Sequence, residues 1–193
     1  MTAVMPEVDR VGYEIHGWVP AGFLTADDID SIDLDVPFEI QDGDLLIMAP
    51  PSAWHDATSD DVRGYLKRRH AWAAEDMVVV VGDNIWRPDV VAVAVSREEL
   101  LRSRARKLYP AAIEVAVEII SHDGDPAKDK LSVNRDRELK FREYALAGIP
   151  EYWIIDETAD DPLDASVEIY RLRSGSYVPV RVVRLSQLLT EKP

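Results

Sequence analysis

One nearly uninterrupted apolar stretch, residues 111–120, constrains the fold more than any other part of the chain. Its branched aliphatic side chains are typical of a strand that is buried on both faces, so we expect it near the centre of a sheet. Two carboxylates, Glu114 and Glu118, interrupt this aliphatic run, and Glu118 is the one that lies within the aliphatic residues 115–120. A buried carboxylate is costly unless it is paired, protonated or bound to a metal ion. Glu118 therefore requires an ion-pair partner, a bound proton or a metal ion in the core.

The other predicted strands follow from turn residues and β-branched patterns. Asp42-Gly43 lies between two short apolar runs and indicates a hairpin. Further strands are expected at residues 77–81, 89–95, 152–155, 166–172 and 177–183, with an edge strand near 13–19.

Helices are predicted where a capping residue precedes an amphipathic run. Ser52 caps a helix that continues to about residue 75, Ser96 caps a short helix, and Thr25 begins another. Residues 121–130 are expected to form a polar loop before a helix at 133–147, which ends at Gly148. The sequence therefore predicts an α/β fold with a central mixed β-sheet flanked by helices.

Composition indicates a single domain. Of the 193 residues, 47% are apolar and 30% are charged, which is typical of a folded chain with a substantial core. We expect residues 1–35 to form an N-terminal arm and short helix that pack on a core domain at 36–193. No apolar run is long enough for a membrane span, the first residues do not resemble a secretory signal, and cysteine is absent. A cytoplasmic protein is expected.

The net charge of −14 would oppose binding to nucleic acid if it were spread evenly. It is concentrated at one end, because residues 1–61 hold 14 acidic residues and one basic residue. Residues 62–193 hold 22 acidic and 21 basic residues and are nearly neutral. The total charge therefore does not exclude a nucleic-acid substrate.

Three parts of the chain carry residues suited to phosphodiester chemistry. Asp89 opens a strand directly after Arg87-Pro88, Glu118 lies in the central strand, and Asp136, Lys140 and Tyr144 follow at four-residue steps on a helix. Converging carboxylates form a hard oxygen site that suits Mg²⁺ or Mn²⁺. Such an ion can activate water, and a nearby lysine can orient or deprotonate that water or neutralise developing charge.

Each of these residues also has a purely structural interpretation. Asp89 can cap a turn, and Glu118 can pair with a buried arginine, for which Arg87 and Arg142 are candidates. Asp136 and Lys140 can form an ordinary ion pair between successive turns of a helix. Tyr144 can simply pack in the core.

Several further residues remain open between two roles. Glu39 is either an accessory ligand or half of a cross-strand ion pair, and His55 either approaches the site or caps its helix. Lys128 and Lys130 compete with Lys140 for the role of the site lysine. The basic run at 102–107 is a solvated face or a set of phosphate contacts.

The order of these elements resembles the PD-(D/E)XK phosphodiesterase superfamily, which has a restriction-endonuclease-like core. More closely, the chain resembles the Uma-two family of endonucleases. The stretches that carry this resemblance are Phe38-Glu39-Ile40-Gln41-Asp42-Gly43, Met48-Ala49-Pro50-Pro51-Ser52 with His55, Arg87-Pro88-Asp89-Val90, Val117-Glu118-Ile119-Ile120-Ser121, the helix from Asp136 through Lys140 to Tyr144, and Gly148-Ile149-Pro150-Glu151-Tyr152-Trp153.

The resemblance implies a metal-dependent endonuclease that hydrolyses DNA phosphodiester bonds. Asp89 and Glu118 would bind Mg²⁺ or Mn²⁺, and Lys140 would be the catalytic lysine. The chain departs from the superfamily at Ile120, where the motif lysine is expected, and Lys140 on the following helix takes that place. Cleavage of both DNA strands would suit a homodimer. The alternatives are a catalytically silent nucleic-acid- or protein-binding module and a metal-dependent hydrolase of small phosphate esters.

Overall fold

The computed structural model describes residues 16–120, 122 and 126–192, with the side chains of residues 126–128 excepted. In chain order the strands are β1 (Gly17–Trp18), β2 (Asp33–Leu34), β3 (Phe38–Gln41), β4 (Asp44–Ile47), β5 (Trp72–Glu75), β6 (Val78–Val81), β7 (Asn84–Trp86), β8 (Val90–Val93), β9 (Lys107–Leu108), β10 (Ile113–Ile119), β11 (Glu151–Thr158), β12 (Asp161–Arg173) and β13 (Ser176–Arg184). The α-helices are α1 (Ala53–Lys67), α2 (Arg97–Ser103), α3 (Pro126–Asn134), α4 (Phe141–Leu146) and α5 (Leu185–Leu189). A π-helical segment, Arg135–Lys140, joins α3 to α4, and Ala26–Ser31 and Pro110–Ala112 are 3₁₀ turns.

The strand that contains Glu118 lies inside the larger of the sheets. That sheet has the order β13-β12-β11-β10-β8-β5. β10 runs parallel to β11 and antiparallel to β8, so the sheet is mixed, as predicted. A second sheet has the order β4-β3-β7-β6-β9, and β1 pairs with β2. The first sheet supplies the floor of the candidate site, and the second contributes a side chain from β3.

Helices cover both faces of the six-stranded sheet. Leu66 of α1 and Leu188 of α5 pack on the face that carries Val117. Tyr144 of α4 packs on the opposite face, with Ala116 and Ile120. Because side chains alternate along a strand, Glu118 points to the same face as Ala116, towards the π-helical segment and α4.

The local signals for turns and caps are confirmed. Asp42 and Gly43 have positive φ values of 50° and 86° at the β3–β4 turn, the conformation that an Asp-Gly hairpin adopts. Ser52 Oγ accepts a hydrogen bond from the His55 backbone N–H (3.2 Å) at the start of α1. Ser96 and Glu99 form a reciprocal capping box at the start of α2.

The prediction of one helix from Ser52 to residue 75 is wrong. α1 ends at Lys67, and Trp72–Glu75 forms β5, an edge strand paired antiparallel with β8. The sequence around Ala73 and Ala74 has good helix propensity, but pairing with β8 outweighs that preference.

The prediction of a loop at 121–130 is also wrong in part, because α3 begins at Pro126, a residue that suits the first turn of a helix. The helix expected at 133–147 is the later part of α3, the π-helical segment and α4 together. The edge strand expected near residues 13–19 is present as β1, and residues 13–15 lie outside the described residues. β2, β7, β9 and α5 were not predicted.

Candidate active site

Glu118 accepts two hydrogen bonds from the helix that crosses its strand. Lys140 Nζ donates to Oε2 at 2.9 Å, and the Tyr144 hydroxyl donates to Oε1 at 3.1 Å. All three residues are buried, with exposures of 2% for Glu118, 1% for Lys140 and 0% for Tyr144. The partner of Glu118 is therefore Lys140, and the alternative pairing with Arg87 or Arg142 is wrong.

Lys140 also contacts two more carboxylates. Its Nζ lies 3.0 Å from Glu39 Oε1 on β3 and 3.4 Å from Asp136 Oδ1 on the same helical segment. We call Lys140 with Glu39, Glu118 and Asp136 the Lys140 cluster. The ion pair between Asp136 and Lys140 is thus present, as the structural interpretation expects, but it is one contact of a larger group.

Burial and charge oppose each other at the lysine. Burial alone would lower the pKa of Lys140, but the charges of Glu118, Glu39 and Asp136 outweigh it and hold the pKa above its ordinary value. Lys140 is therefore an ammonium that donates hydrogen bonds to the carboxylates.

The pKa values of the buried acids are also raised, but for a different reason. Burial raises the pKa of Glu118 and of Asp136, and the charge of Lys140 only partly offsets this. Burial, followed by the charge of Glu118, also raises the pKa of Tyr144, so its hydroxyl remains a donor. The cluster holds more carboxyl groups than cations, and it therefore favours either bound protons or an additional cation.

Asp89 lies beside this cluster at the start of β8. Its Oδ2 accepts a hydrogen bond of 2.6 Å from the backbone N–H of Ile119, the residue that follows Glu118. Its Oδ1 lies 3.1 Å from His55 Nε2. Asp89 thus links the beginning of β8 to the end of β10 and to the first turn of α1, rather than capping a turn of its own segment.

His55 reaches this site because the Ser52 cap places it in the first turn of α1. Burial alone would lower the pKa of His55, but the hydrogen bond and the charge of Asp89 raise it above its ordinary value. Of the two roles considered for His55, the structure has the first: its side chain contacts Asp89, whereas the residue that caps α1 is Ser52.

Glu39 is held from two directions. Oε1 accepts a hydrogen bond from the Arg87 backbone N–H at 2.9 Å as well as the contact from Lys140. Oε2 has no hydrogen-bond partner although it is buried. The Arg87 guanidinium turns away from the carboxylates and donates to the carbonyl oxygens of Phe38 and Asp76.

The donor set fits a divalent cation in its chemistry. Glu39, Asp89, Glu118 and Asp136 supply hard carboxylate oxygens, and both Glu39 Oε2 and Asp136 Oδ1 are buried without a hydrogen-bond partner. In the part of the chain that the structure describes, no three His, Asp or Glu side chains are already arranged as a metal site. Contacts from Lys140, Tyr144, His55 and the Ile119 N–H already engage other oxygens of Glu118 and Asp89.

A groove of about 310 Å³ reaches Asp89 and His55, at the edge of the site. Its lining is mostly acidic and comprises Pro51, His55, Asp56, Ser59, Asp60, Glu75, Asp76 and Asp89. An acidic approach attracts cations and repels phosphate, so this side of the site suits the entry of a metal ion better than that of a nucleic acid.

The sequence did not single out Arg135, which adjoins the cluster. Its Nε lies 3.8 Å from Glu39 Oε2 and 3.7 Å from Asp136 Oδ1. On a regular α-helix neighbouring residues point about 100° apart, so the choice of Asp136 gave no reason to choose Arg135 as well. Arg135–Lys140 is π-helical, a feature that is frequent at functional sites, and no sequence pattern signals it.

Neither Lys130 nor the basic run at 102–107 is among the contacts of the Lys140 cluster. Lys130 is exposed on α3, and the side chain of Lys128 lies outside the described residues. Within the basic run at 102–107, Arg106 and Lys107 line a different groove, on the side of the 3₁₀ turn Ala26–Ser31, and Lys107 pairs with Asp30 at 3.3 Å.

Comparison with known proteins assigns the chain to a family. Residues 26–193 match the sequence model of the Uma2 family, which is described as "Putative restriction endonuclease". The match covers most of the chain, and the chain belongs to this family. No curated protein matches it.

A solved structure shares the fold. It is the crystal structure of "a putative nuclease belonging to DUF820" from Anabaena variabilis ATCC 29413. Its sequence is 18% identical to this chain, the superposition covers 83% of each of the two chains, and the TM-score is 0.57. The fold is restriction-endonuclease-like, as the sequence predicts. Among the described residues, none of the helices has the length and apolar character needed to cross a membrane.

Proposed function

We propose that this chain is a metal-dependent endonuclease that hydrolyses DNA phosphodiester bonds. The observation that carries the proposal is the convergence of Glu118, Glu39 and Asp136 on one buried lysine, with Asp89 hydrogen-bonded to the residue next to Glu118. Carboxylates that converge in this way, with a lysine among them, suit phosphodiester hydrolysis. Membership of the family described as "Putative restriction endonuclease" supports the same activity.

Asp89 and Glu118 are the proposed ligands of Mg²⁺ or Mn²⁺. Glu39 and Asp136 are accessory carboxylates, since each keeps a buried oxygen without a hydrogen-bond partner. The bound ion would supply charge stabilisation at the phosphoryl group and a more acidic water. His55 orients Asp89 through their 3.1 Å contact, and Tyr144 holds Glu118 through its hydroxyl.

Lys140 acts in this proposal as a cation and hydrogen-bond donor. Its pKa is held above the ordinary value by the surrounding carboxylates, so its ammonium does not accept a proton from water. It orients the attacking water and offsets the charge that develops at the phosphate.

A catalytically silent binding module is the second candidate. It is favoured by the burial of Glu118 and Lys140, at 2% and 1% exposure, and by the hydrogen bonds that already satisfy both oxygens of Glu118. Access of a phosphodiester to Glu118 would require part of the covering structure to move.

The experiment that separates the candidates compares three substrates under two metal conditions. Supercoiled plasmid, single-stranded DNA and a small chromogenic phosphodiester are each incubated with the protein, with Mg²⁺ or Mn²⁺ and with EDTA. Metal-dependent cleavage of DNA supports the endonuclease. Turnover of the small ester alone supports the hydrolase of small phosphate esters, and no turnover at all supports the silent module.

A further inference from the structure

Three buried polar atoms beside Lys140 face one another without a hydrogen-bond partner among the described residues. They are Glu39 Oε2, Asp136 Oδ1 and Arg135 Nε. Arg135 Nε forms ion pairs with the two oxygens at 3.8 Å and 3.7 Å, distances too long for hydrogen bonds. Buried polar atoms are normally paired, and Arg135 Nε is the one donor among these three. It is therefore open to an oxygen acceptor, whereas the two carboxylate oxygens remain available to a cation.

The two cations next to the carboxylates differ in their access to solvent. The Lys140 side chain is 2% exposed and contacts three carboxylates. The Arg135 side chain is 29% exposed, and its contacts with Glu39 and Asp136 are the longer ones. Lys140 is therefore occupied with the carboxylates, whereas Arg135 extends from the cluster to the surface.

A phosphodiester needs such a cation at this position. The scissile phosphate is anionic and gains negative charge in the transition state, while Glu39, Asp89, Glu118 and Asp136 all oppose its approach. A guanidinium is planar, remains charged, and donates parallel hydrogen bonds that match phosphate oxygens. Burial alone would lower the pKa of Arg135, but the charges of Glu39 and Asp136 reverse this, so the guanidinium keeps its proton.

We propose that Arg135 is a catalytic residue that donates hydrogen bonds to a non-bridging oxygen of the scissile phosphate. This inference rests on the proposed endonuclease function and adds a substrate contact to it. The π-helical segment is what permits the contact, because Arg135 is its first residue and Lys140 its last, and both face the same carboxylates. Arg135 is not a proposed metal ligand, so its substitution should affect cleavage and Mn²⁺ affinity differently from the substitution of Glu118.

The test compares Arg135→Ala and Arg135→Lys with Arg142→Ala and with Glu118→Gln. Arg142 is a matched control because it lies on α4, two residues after Lys140, and takes no part in the ion pairs of the cluster. Plasmid cleavage with Mn²⁺ is measured together with Mn²⁺ affinity by titration calorimetry. Cleavage by Arg135→Ala is repeated with added guanidinium chloride at non-denaturing concentrations.

We expect Arg135→Ala to lose cleavage activity on the order of a hundredfold, as removal of one transition-state donor does, and Arg135→Lys to lose less. Mn²⁺ affinity should be unchanged or higher, because a cation beside the carboxylates has been removed, and free guanidinium should restore part of the activity. Glu118→Gln should lose Mn²⁺ affinity and gain nothing from guanidinium.

Two results overturn the role of Arg135 alone while the wild type still cleaves. In the first, Arg135→Ala cleaves as well as Arg142→Ala. In the second, Arg135→Ala loses activity and Mn²⁺ affinity together, which indicates that Arg135 positions the carboxylates and does not contact the substrate. Absence of metal-dependent cleavage by the wild type overturns both this inference and the proposed function.

Discussion

The carboxylate of Asp89 and the backbone of Ile119 are joined by a hydrogen bond of 2.6 Å between Oδ2 and the amide nitrogen. Ile119 follows Glu118 directly, so this bond fixes the beginning of β8 against the end of β10 at the point where Glu118 enters the core. Two carboxylates that are 29 positions apart in the sequence are thereby brought to neighbouring strand ends. A single hydrogen bond to the main chain thus helps to define the candidate metal site.

Asp89→Asn separates the structural role of this carboxylate from its proposed role as a ligand. The amide oxygen of asparagine can still accept the hydrogen bond from Ile119, so the free energy of unfolding should change by less than about 1.5 kcal/mol. Mn²⁺ affinity should fall about tenfold or more, because a charged oxygen donor is lost. Urea unfolding and titration calorimetry on the same samples measure the two effects.

Asp76→Asn is the matched control for Asp89→Asn. Asp76 lines the same groove and has a φ of 52°, a left-handed conformation that asparagine tolerates well. If Asp76→Asn weakens Mn²⁺ binding as much as Asp89→Asn does, the general acidity of the groove, and not ligation by Asp89, governs metal affinity.

Lys140→Met should destabilise the fold strongly. It removes the ammonium that contacts Glu118, Glu39 and Asp136 and leaves these carboxylates buried without it. Removing one partner of a buried ion pair lowers the free energy of unfolding by about 3–5 kcal/mol, and urea unfolding near neutral pH measures this change. Lys130→Met, at an exposed position of α3, should change the free energy of unfolding by no more than about 0.5 kcal/mol.

The loss of unfolding free energy in Lys140→Met should also depend on pH, and it should be smaller at acidic pH than at neutral pH. Burial raises the pKa of Glu118 and Asp136 in the folded chain, so these groups favour folding when they are protonated. Their contribution is fully present below the ordinary carboxyl pKa and disappears as the pH rises through the raised value. A loss of stability in Lys140→Met that is the same at acidic and neutral pH would contradict the assignment of uncompensated carboxylates.

His122 provides a second pH dependence, outside the site. Its Nε2 lies 2.8 Å from Asp156 Oδ1, and this hydrogen bond raises the pKa of His122 above its ordinary value although partial burial opposes the shift. The pair stabilises the fold below the ordinary histidine pKa, and that stabilisation is lost as the pH rises through the raised value. Because the histidine is exposed, the contribution should be below about 1 kcal/mol.

An NMR titration of the His122 ring measures this shift. Asp156→Asn should return the pKa of His122 towards its ordinary value and flatten the corresponding part of the stability curve. A His122 pKa that is unaffected by Asp156→Asn would show that the pair does not form in solution.

The sequence predicted the parts of the fold that depend on local chemistry. The Asp42-Gly43 turn and the Ser52 and Ser96 caps follow from residues within four positions of one another, and the aliphatic run around Glu118 indicates a central strand. β5 was missed because its conformation is decided by pairing with β8, which is distant in sequence. Propensity alone cannot report such an interaction.

In the candidate site, too, the sequence predicted what local patterns indicate and missed what depends on three-dimensional contacts. Glu118 could be singled out because a carboxylate in an aliphatic strand needs a partner, and Asp89, Lys140, Glu39, His55, Asp136 and Tyr144 were singled out with it. Arg135 could not be singled out from the sequence, since its position beside Glu39 depends on the π-helical segment. The hydrogen bond from Ile119 to Asp89 was equally unpredictable, because main-chain donors carry no sequence signature.

The proposed endonuclease function is tested first by nicking of supercoiled plasmid, with Mg²⁺ or Mn²⁺ and with EDTA. The wild type is compared with Asp89→Ala, Glu118→Ala and Lys140→Ala. Circular dichroism first establishes that each variant is folded under the assay conditions. Metal-dependent nicking by the wild type and its loss in all three variants are expected. Undiminished nicking by any folded variant, or equal nicking by the wild type in EDTA, would show that these residues do not form a metal-dependent nuclease site.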